Sequence, residues 1–435
     1  MRKNKVDIVT LGCSKNLVDS ELLMRQFSAN GYAVAHDSET PQGDIVVINT
    51  CGFIETAKEE SIQTILEFGE AKKSKQIRKL YVMGCLSERY QKELQELIPE
   101  VDKFYGKFNW KELISDLGKT YHRELASERI LTTPGHYSYL KIAEGCNRTC
   151  SFCSIPLITG KYQSKQAEAI EAEVRSLVKQ GVKEFQLIDQ DLTYYGKDIY
   201  KKCNLAGLLG RISDIQGVEW IRLHYAYPAM FPMDILTVMR ERDNICNYLD
   251  IALQHSSDAM LKRMRRNISQ EETRALLQAI RQEVPDIHIR TTMMVGHPGE
   301  TEADFIDLLN FVKEMRFERL GAFIYSDEEG TYSNRHYIDD VEPEIKNRRM
   351  DELMALQEQI AQEIGESKIG KTLKVIIDRE EPDYYIGRTE YDSPEVDPEV
   401  LIEKTHPLIT GNFYPVKIAG TQVFDLFGNV ELNYI

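Results

Sequence analysis

The sequence predicts a multidomain α/β chain in three parts: an open parallel-sheet domain over 4–119, a partial (β/α)6 TIM-like barrel over 132–366, and a small antiparallel β-barrel over 367–435. Three observations predict it. Short apolar runs alternate with helix-like periodicity from the start to about residue 370, the pattern of parallel α/β sheets. The turn Thr132-Thr133-Pro134-Gly135 interrupts that alternation. From about Lys371 the helical period stops, and strand-like runs separated by Asn412, Gly420 and Gly428 take over.

In the first part, Val6–Leu11, Asp44–Thr50 and Lys79–Gly84 read as buried strands, being continuous apolar runs too short for helices. Leu17–Ala29 and Glu55–Lys72 read as helices, the first stopped by Gly31. In the second part the strands are Tyr137–Ala143, Glu184–Asp189, Trp220–Ala226, Tyr248–Leu253, His288–Gly296 and Arg319–Ser326, with helices such as Ala167–Lys179 and Glu302–Met315 between them. Six such repeats make a partial barrel, whose chemistry belongs to the loops after its strands. In the third part Leu373–Asp378, Tyr384–Glu390 and Tyr414–Ala419 are strands, and residues 389–399 (TEYDSPEVDPE) form an acidic loop. This part is of a size and pattern that suit a small barrel of the oligonucleotide-binding type. From Lys371 onward it carries twelve acidic against six basic residues, where a barrel that grips RNA is expected to be neutral or basic.

The whole chain has 435 residues and a formal net charge of -15, which disfavours indiscriminate phosphate binding and suits a basic protein partner. The first residues, MRKNK then VDIVTLG, lack the apolar length of an export signal, and no run approaches the ~20 apolar residues of a membrane span. The expectation is a cytoplasmic protein with reduced thiols. The basic stripe Lys262-Arg263-Met264-Arg265-Arg266 reads as a solvated helix face.

Six of the eight cysteines fall into two sets of three. Cys13, Cys51 and Cys85 each end a strand of the first domain, at the edge where open α/β sheets bind ligands. Cys146, Cys150 and Cys153 form C-x3-C-x2-C in the loop after the first barrel strand. Complete protein ligation of a four-iron cluster takes four cysteines, so a set of three leaves one iron open to chemistry. Zinc is the rival for the compact set, but structural zinc sites pair one C-x2-C with a second pair, and the nearest downstream His, His224, lies on another strand. For the dispersed set the competing reading is three ordinary buried thiols, which three recurrences of the same pattern weaken. Cys203 and Cys246 have no such context and read as ordinary thiols.

Gly365 to Thr372 matches the phosphate-loop pattern G-x4-G-K-T, but a helix over Ile345–Ile364 precedes it and a strand follows. A phosphate loop needs strand before and helix after, so the match reads as a domain junction. Gly296-His297-Pro298-Gly299 is either a backbone ledge for a cofactor or a tight turn, and Gln190-Asp191 either touches ligand or caps a helix.

The compact triplet resembles the signature of radical S-adenosylmethionine (SAM) enzymes. The three-part layout is similar to the methylthiotransferases, with a TRAM-like barrel behind a radical SAM core. LGCSKNLVDSE (11–21), RLHYAYP (222–228), YLDIALQHSSDAMLKRMRR (248–266) and YSDEEGTYS (325–333) resemble the branch that modifies a ribosomal protein. The resemblance implies two 4Fe-4S clusters, one on Cys146, Cys150 and Cys153 that binds S-adenosyl-L-methionine, and an auxiliary one on Cys13, Cys51 and Cys85 that carries transferable sulfide or polysulfide. It implies a cofactor contact from Phe152, near the adenine; Gln190, Gly296, Pro298 and Gly299 remain candidate cofactor contacts from the turn and rim positions above. It implies a 5′-deoxyadenosyl radical and a methylthio group inserted at the β-carbon of an aspartate in small-subunit ribosomal protein S-twelve. A flavodoxin or ferredoxin would supply electrons, and the TRAM-like barrel would recognise substrate. Where the family often has Arg-Gly and then Ser-Arg, this chain has Thr159-Gly160 and Ser164-Lys165. A tRNA methylthiotransferase and a two-cluster electron carrier are the competing functions; incomplete triplets argue against the carrier, and the acidic barrel argues against tRNA.

Overall fold

The computed structural model describes residues 4–38 and 40–431; the last four residues of the expected third domain, 432–435, lie outside the described residues. The first sheet contains β1 (Lys5–Thr10), β2 (Ala33–His36), β3 (Ile45–Thr50), β4 (Lys79–Gly84) and β5 (Lys103–Phe104), all parallel, in the order β2-β1-β3-β4-β5. Its helices are α1 (Ser14–Ala29), α2 (Glu55–Lys73), α3 (Cys85–Leu97) and α4 (Trp110–Asp116). Sequence reading misses β2 and β5. One is a four-residue edge strand of mixed burial, and the other has only two residues, so neither carries a readable period. The strand order reverses between β1 and β3, and such a switch point opens a crevice at the strand ends. Cys13 follows β1 and Cys51 follows β3, one on each side of it.

Helix α1 is buried on two sides. Leu23, Met24 and Phe27 pack with Val6, Ile8, Ile45 and Val47 of the sheet. Val18 packs with Tyr137, Tyr139 and Ile188 of the second domain. At ~1.5–3 kcal/mol for each large apolar side chain removed from water, this fixes the helix and its leading Cys13 against the barrel.

The second domain runs through β6 (Tyr137–Lys141), β7 (Ala143–Glu144), α5 (Ile155–Thr159), β8 (Gln163–Ser164), α6 (Ala167–Lys179), β9 (Glu184–Ile188), α7 (Leu205–Ser213), β10 (Trp220–Ala226), α8 (Asp234–Glu241) and β11 (Ile245–Ile251). It continues with α9 (Asp258–Arg263), α10 (Gln270–Glu283), β12 (His288–Val295), α11 (Glu302–Met315), β13 (Arg319–Ile324), α12 (Tyr332–His336) and α13 (Pro343–Glu366). Strands β6-β9-β10-β11-β12-β13 pair in parallel and in sequence order, the open barrel expected. Strand β11 starts three residues earlier than read, because polar Asn247 interrupts its apolar run. Alternation along the strands sends Phe185, Leu187, Ile221, Leu223, Leu249 and Ile251 toward the helices. The alternate positions, Glu184, Gln186, Arg222, His224, Tyr248 and Asp250, give the barrel a polar and buried interior.

The third domain is a closed barrel of β14 (Thr372–Glu380), β15 (Tyr384–Thr389), β16 (Val400–Glu403), β17 (Phe413–Gln422) and β18 (Asp425–Val430), in the order β14-β15-β16-β18-β17. All its pairs are antiparallel except β16 with β18. The acidic loop after β15 plugs the polar interior of the larger barrel. Glu395 accepts hydrogen bonds from the Tyr137 and Tyr139 hydroxyls at 3.0 and 2.8 Å. Asp397 accepts from Tyr248 at 2.7 Å and pairs with Arg290 at 2.9 Å, while Asp392 pairs with Arg319. Arg388 bridges Glu184 at 2.8 Å and Asp378 at 2.6 Å. Much of this domain's negative charge is therefore neutralised internally, which removes it as an argument about partners. The G-x4-G-K-T match lies between the end of α13 and the start of β14, and a Cβ on Gly365 would sit 2.5 Å from Thr421 Oγ1. It is a packed junction, as read.

Candidate active site

The dispersed cysteines gather at the switch point. Cys13 is the N-cap residue of α1, and Gly12 before it has φ +91°, a left-handed turn that glycine adopts readily. A Cβ on Gly12 would lie 2.7 Å from Cys51 Cβ and 2.9 Å from Cys51 Sγ, so the two loops approach backbone to side chain. Cys85 opens α3 directly after Gly84, itself at φ +102°. One side chain ties the three loops together. Asn16 Nδ2 donates to the carbonyls of Leu11 at 2.9 Å and Thr50 at 3.1 Å, and the Cys85 thiol lies 3.8 Å from its Oδ1. Asn49 Nδ2 in turn donates to the Asn16 carbonyl at 2.9 Å. Sequence reading misses both asparagines; Asn49 carries a signal, a polar residue inside an otherwise apolar strand, whereas Asn16 sits among polar residues at the start of α1 and carries none.

Burial pushes the Cys51 thiol up and the Cys85 thiol up to about 12. Burial acts on Cys13 the same way, but the cations of Lys15 and Lys107 outweigh it and hold that thiol below its ordinary value. Cys13 is solvent-exposed at the opening of a recess otherwise walled by protein.

The compact set lies in the loop after β7. Its left-handed Gly145 fits beneath the Lys161 carbonyl, and the Cys146 amide donates to the Gly160 carbonyl at 3.1 Å. Arg266 Nη1 donates to Cys150 Sγ at 3.2 Å, and the Arg148 amide donates to Cys146 Sγ at 3.4 Å. The Tyr227 ring has the Arg148 and Arg266 guanidiniums 3.9 and 4.2 Å from its centroid. Burial pushes Cys146 up to about 12, and burial with the neighbouring Cys150 raises Cys153. All eight cysteines are free, and Cys246 packs in an apolar cluster with Trp220, Tyr248 and Ile376. Among the described residues no three His, Cys, Asp or Glu converge tightly enough for a single metal ion. A four-iron cluster is wider than one ion, and two sets of thiols beside cations, Cys13 exposed and the other five half-buried, suit its sulfur ligation and net negative charge.

Arg266 overturns the solvated-face reading of its stripe: it is buried, and Arg263 Nε likewise donates inward to the Pro298 carbonyl at 2.6 Å. Hydrogen-bonding carbonyls and thiols on neighbouring loops draw these arginines in, and one sequence carries no trace of that. Phe152 packs with Met260, Met264, Met294 and Tyr325 at the same mouth. Asp191 caps the turn at Thr193 and pairs with Arg148 at 2.6 Å, while Gln190 beside it is half-buried. A Cβ on Gly296 would meet Lys346, and one on Gly299 would sit 2.7 Å from the Arg263 guanidinium. Packing by the chain's own side chains thus accounts for both glycines, and the Gly296 amide donates to Glu300 at 2.5 Å. Lys165 pairs with Glu173 at 3.2 Å, and Thr159 bonds within its own short helix. His224 lies 2.9 Å from Gln186 and 3.2 Å from Ser393, engaged away from the thiols.

A buried charge network joins the two sets. Lys107, whose cation acts on both Cys13 and Cys85, lies 3.2 Å from Asp19. Asp19 also pairs with Lys141, which pairs with Glu144, two residues before Cys146. On the other flank Lys58 of α2 and Arg89 of α3 both reach Glu328 after β13 at 3.2 Å.

Residues 5–106 match the family described as uncharacterized protein family UPF0004, residues 140–312 the radical SAM superfamily, and residues 369–430 the TRAM domain. The chain is 66% identical over 430 residues to a protein of Parabacteroides distasonis named ribosomal protein uS12 methylthiotransferase RimO, covering 99% of this chain and 100% of that one. Proteins of the same name from Phocaeicola vulgatus and Porphyromonas gingivalis are 62% and 60% identical, again across 99% of this chain and 100% of theirs. Among solved structures, the radical SAM methyltransferase TsrM of Kitasatospora setae aligns with a TM-score of 0.56 at 13% identity, covering 91% of this chain and 80% of that one. The cobalamin-dependent SAM radical enzyme OxsB aligns at 0.52 and 12% identity, covering 82% and 56%.

Proposed function

The chain belongs to the RimO family of radical SAM methylthiotransferases, and we propose that it inserts a methylthio group at the β-carbon of an aspartate in ribosomal protein uS12. The observation that carries this reading is the meeting of both cysteine sets at one mouth of the barrel, joined by the Lys107–Asp19–Lys141–Glu144 network.

In this reading Cys146, Cys150 and Cys153 hold one 4Fe-4S cluster and the S-adenosylmethionine bound to it, and Cys13, Cys51 and Cys85 hold the auxiliary cluster. When bound, these groups supply the radical that removes the substrate hydrogen and the methylthio group that replaces it, chemistry no side chain of the protein can do. The protein's own residues position and insulate. Arg266 Nη1 donates to Cys150 Sγ and the Arg148 backbone amide to Cys146 Sγ, hydrogen bonds that orient these sulfurs. Phe152 with Met260, Met294 and Tyr325 forms an apolar wall suited to an adenine. Helix α1, packed on both sides, holds Cys13 against the barrel. The proposed division of labour follows the domains 4–119, 132–366 and 367–435: auxiliary cluster, radical core and substrate recognition.

No described helix is long and apolar enough to cross a membrane. A ribosomal substrate places the enzyme in the cytoplasm, with a flavodoxin or ferredoxin as electron donor. Deleting the gene tests the reading in the cell. The account expects uS12 from the deletion strain to lack one methylthio mass, restored by the intact gene, with tRNA unchanged. Loss of a methylthio base from tRNA, with uS12 at its normal mass, overturns it.

A further inference from the structure

Between the two cysteine sets lies a buried cation that no carboxylate pairs. Lys15, on the first turn of α1, is 6% exposed, and its Nζ stands 3.6 Å above the Tyr225 ring at the end of β10. Among the described residues it forms no ion pair, whereas its neighbours Lys107 and Lys141 share Asp19. Burial alone would disfavour that charge, but the Tyr225 side chain, the Cys13 thiol and Asp189 outweigh it and hold Lys15 above its ordinary value, so it stands charged with no carboxylate bound to it. The start of α1, which has no side-chain cap, adds further positive potential.

Asp189 is the barrel carboxyl whose charge acts on Lys15, yet the two form no ion pair. Asp189, just after β9, is fully buried and accepts from the Tyr162 hydroxyl at 2.5 Å, while its Oδ1 has no hydrogen-bond partner. Burial pushes its carboxyl up to about 8, so at neutral pH it is mostly a neutral acid. A neutral acid forms no ion pair with the lysine and has a proton to donate to an incoming carboxylate. Cation, acid and helix start thus meet where the start of α1 faces the ends of β9 and β10.

We propose that Lys15 binds the side-chain carboxylate of the substrate aspartate and so selects an acidic residue for modification. This rests on the uS12 reading and adds its specificity element. The carboxylate completes the missing ion pair, which holds the adjacent β-carbon between the two sets. Lys15 is a positioning residue: it touches the substrate's recognition group, not the carbon that reacts.

The test is binding of two synthetic peptides of the uS12 target loop, one with the aspartate and one with asparagine there, to the reconstituted holoenzyme by fluorescence anisotropy. Removing one partner of a buried charge pair corresponds to about 30-fold or more in affinity. The intact enzyme is expected to prefer the aspartate peptide by that factor, Lys15→Met to lose the preference by weakening only that peptide, and Lys15→Arg to retain most of it. A Lys15→Met enzyme that keeps the full preference overturns the proposal. If Lys15→Met does not load iron, the intact enzyme and Lys15→Arg decide: no preference in either overturns it, and a preference shared by both supports it. Failure of the intact enzyme to modify the aspartate peptide at all strikes the uS12 reading itself, a result separable from loss of discrimination.

Discussion

Gly12→Ala tests how closely the loops of the dispersed set are fitted. At φ +91° an alanine carries about 1–2 kcal/mol of backbone strain. Its methyl would stand 2.7 Å from Cys51 Cβ and 2.9 Å from Cys51 Sγ, so Cys51 must move, an overpacking cost of about 1–3 kcal/mol. The sum is smaller than the stability of a typical domain, so the fold survives with its melting temperature lowered by roughly 10 °C. Displacement of Cys51 is then the main effect. The assay is iron and sulfide per chain after anaerobic reconstitution, with half the intact complement expected. Gly31→Ala is the control: its φ is +80°, yet nothing lies within 4 Å of the added methyl. It carries the strain without the clash and keeps full iron. Full iron in Gly12→Ala, or equal losses in both variants, would refute the reasoning.

Asp189→Asn removes a buried acid whose folded value is raised to about 8 from 3.8. A raised acid favours its protonated form in the fold, so its contribution is most favourable below pH 4 and is lost as pH rises toward 8, on the order of 5 kcal/mol. The variant should therefore gain melting temperature over the intact protein at pH 8.5 and little at pH 5; an equal difference at both contradicts the assignment. Arg388→Met removes the guanidinium shared by Glu184 and Asp378, leaving Glu184 with Arg222 at 3.0 Å and Asp378 with His136 at 2.7 Å, and costs about 3 kcal/mol at the contact of the two barrels. Limited proteolysis should then cut the junction near residues 367–371 faster, and unchanged cleavage counts against the plug as the main tie. Arg266→Met removes the donor 3.2 Å from Cys150 Sγ and should shift the midpoint potential of the compact-set cluster to more negative values in a redox titration read by electron paramagnetic resonance. An unmoved potential means this guanidinium does not act on the cluster.

The longer parallel strands were legible because continuous apolar runs leave few alternatives, and cysteines at strand ends pointed to the sheet edge. β16 and β18 were not legible: each is short, and β18 is broken by Gly428. The role of residues 389–399 was invisible for a different reason. An acidic loop looks the same whether solvent or buried arginines receive it, and Arg222, Arg290 and Arg319 occupy separate strands whose common interior only the fold creates. Lys15 was hidden likewise, since a polar residue on a helical stretch reads as surface until a second domain covers it. The compact set needed no such context, because three ligands within eight residues carry their geometry in their spacing.

The central claim is that the two sets divide the work, one generating the radical and the other delivering sulfur to an aspartate. The direct measurement is anaerobic turnover of the uS12 peptide with S-adenosylmethionine and reductant, reading deoxyadenosine by chromatography and methylthiolation by peptide mass spectrometry. The account predicts both products from the intact enzyme, neither from Cys150→Ala, and deoxyadenosine without methylthiolation from Cys51→Ala. Methylthiolated peptide from Cys51→Ala, or deoxyadenosine from Cys150→Ala, contradicts it.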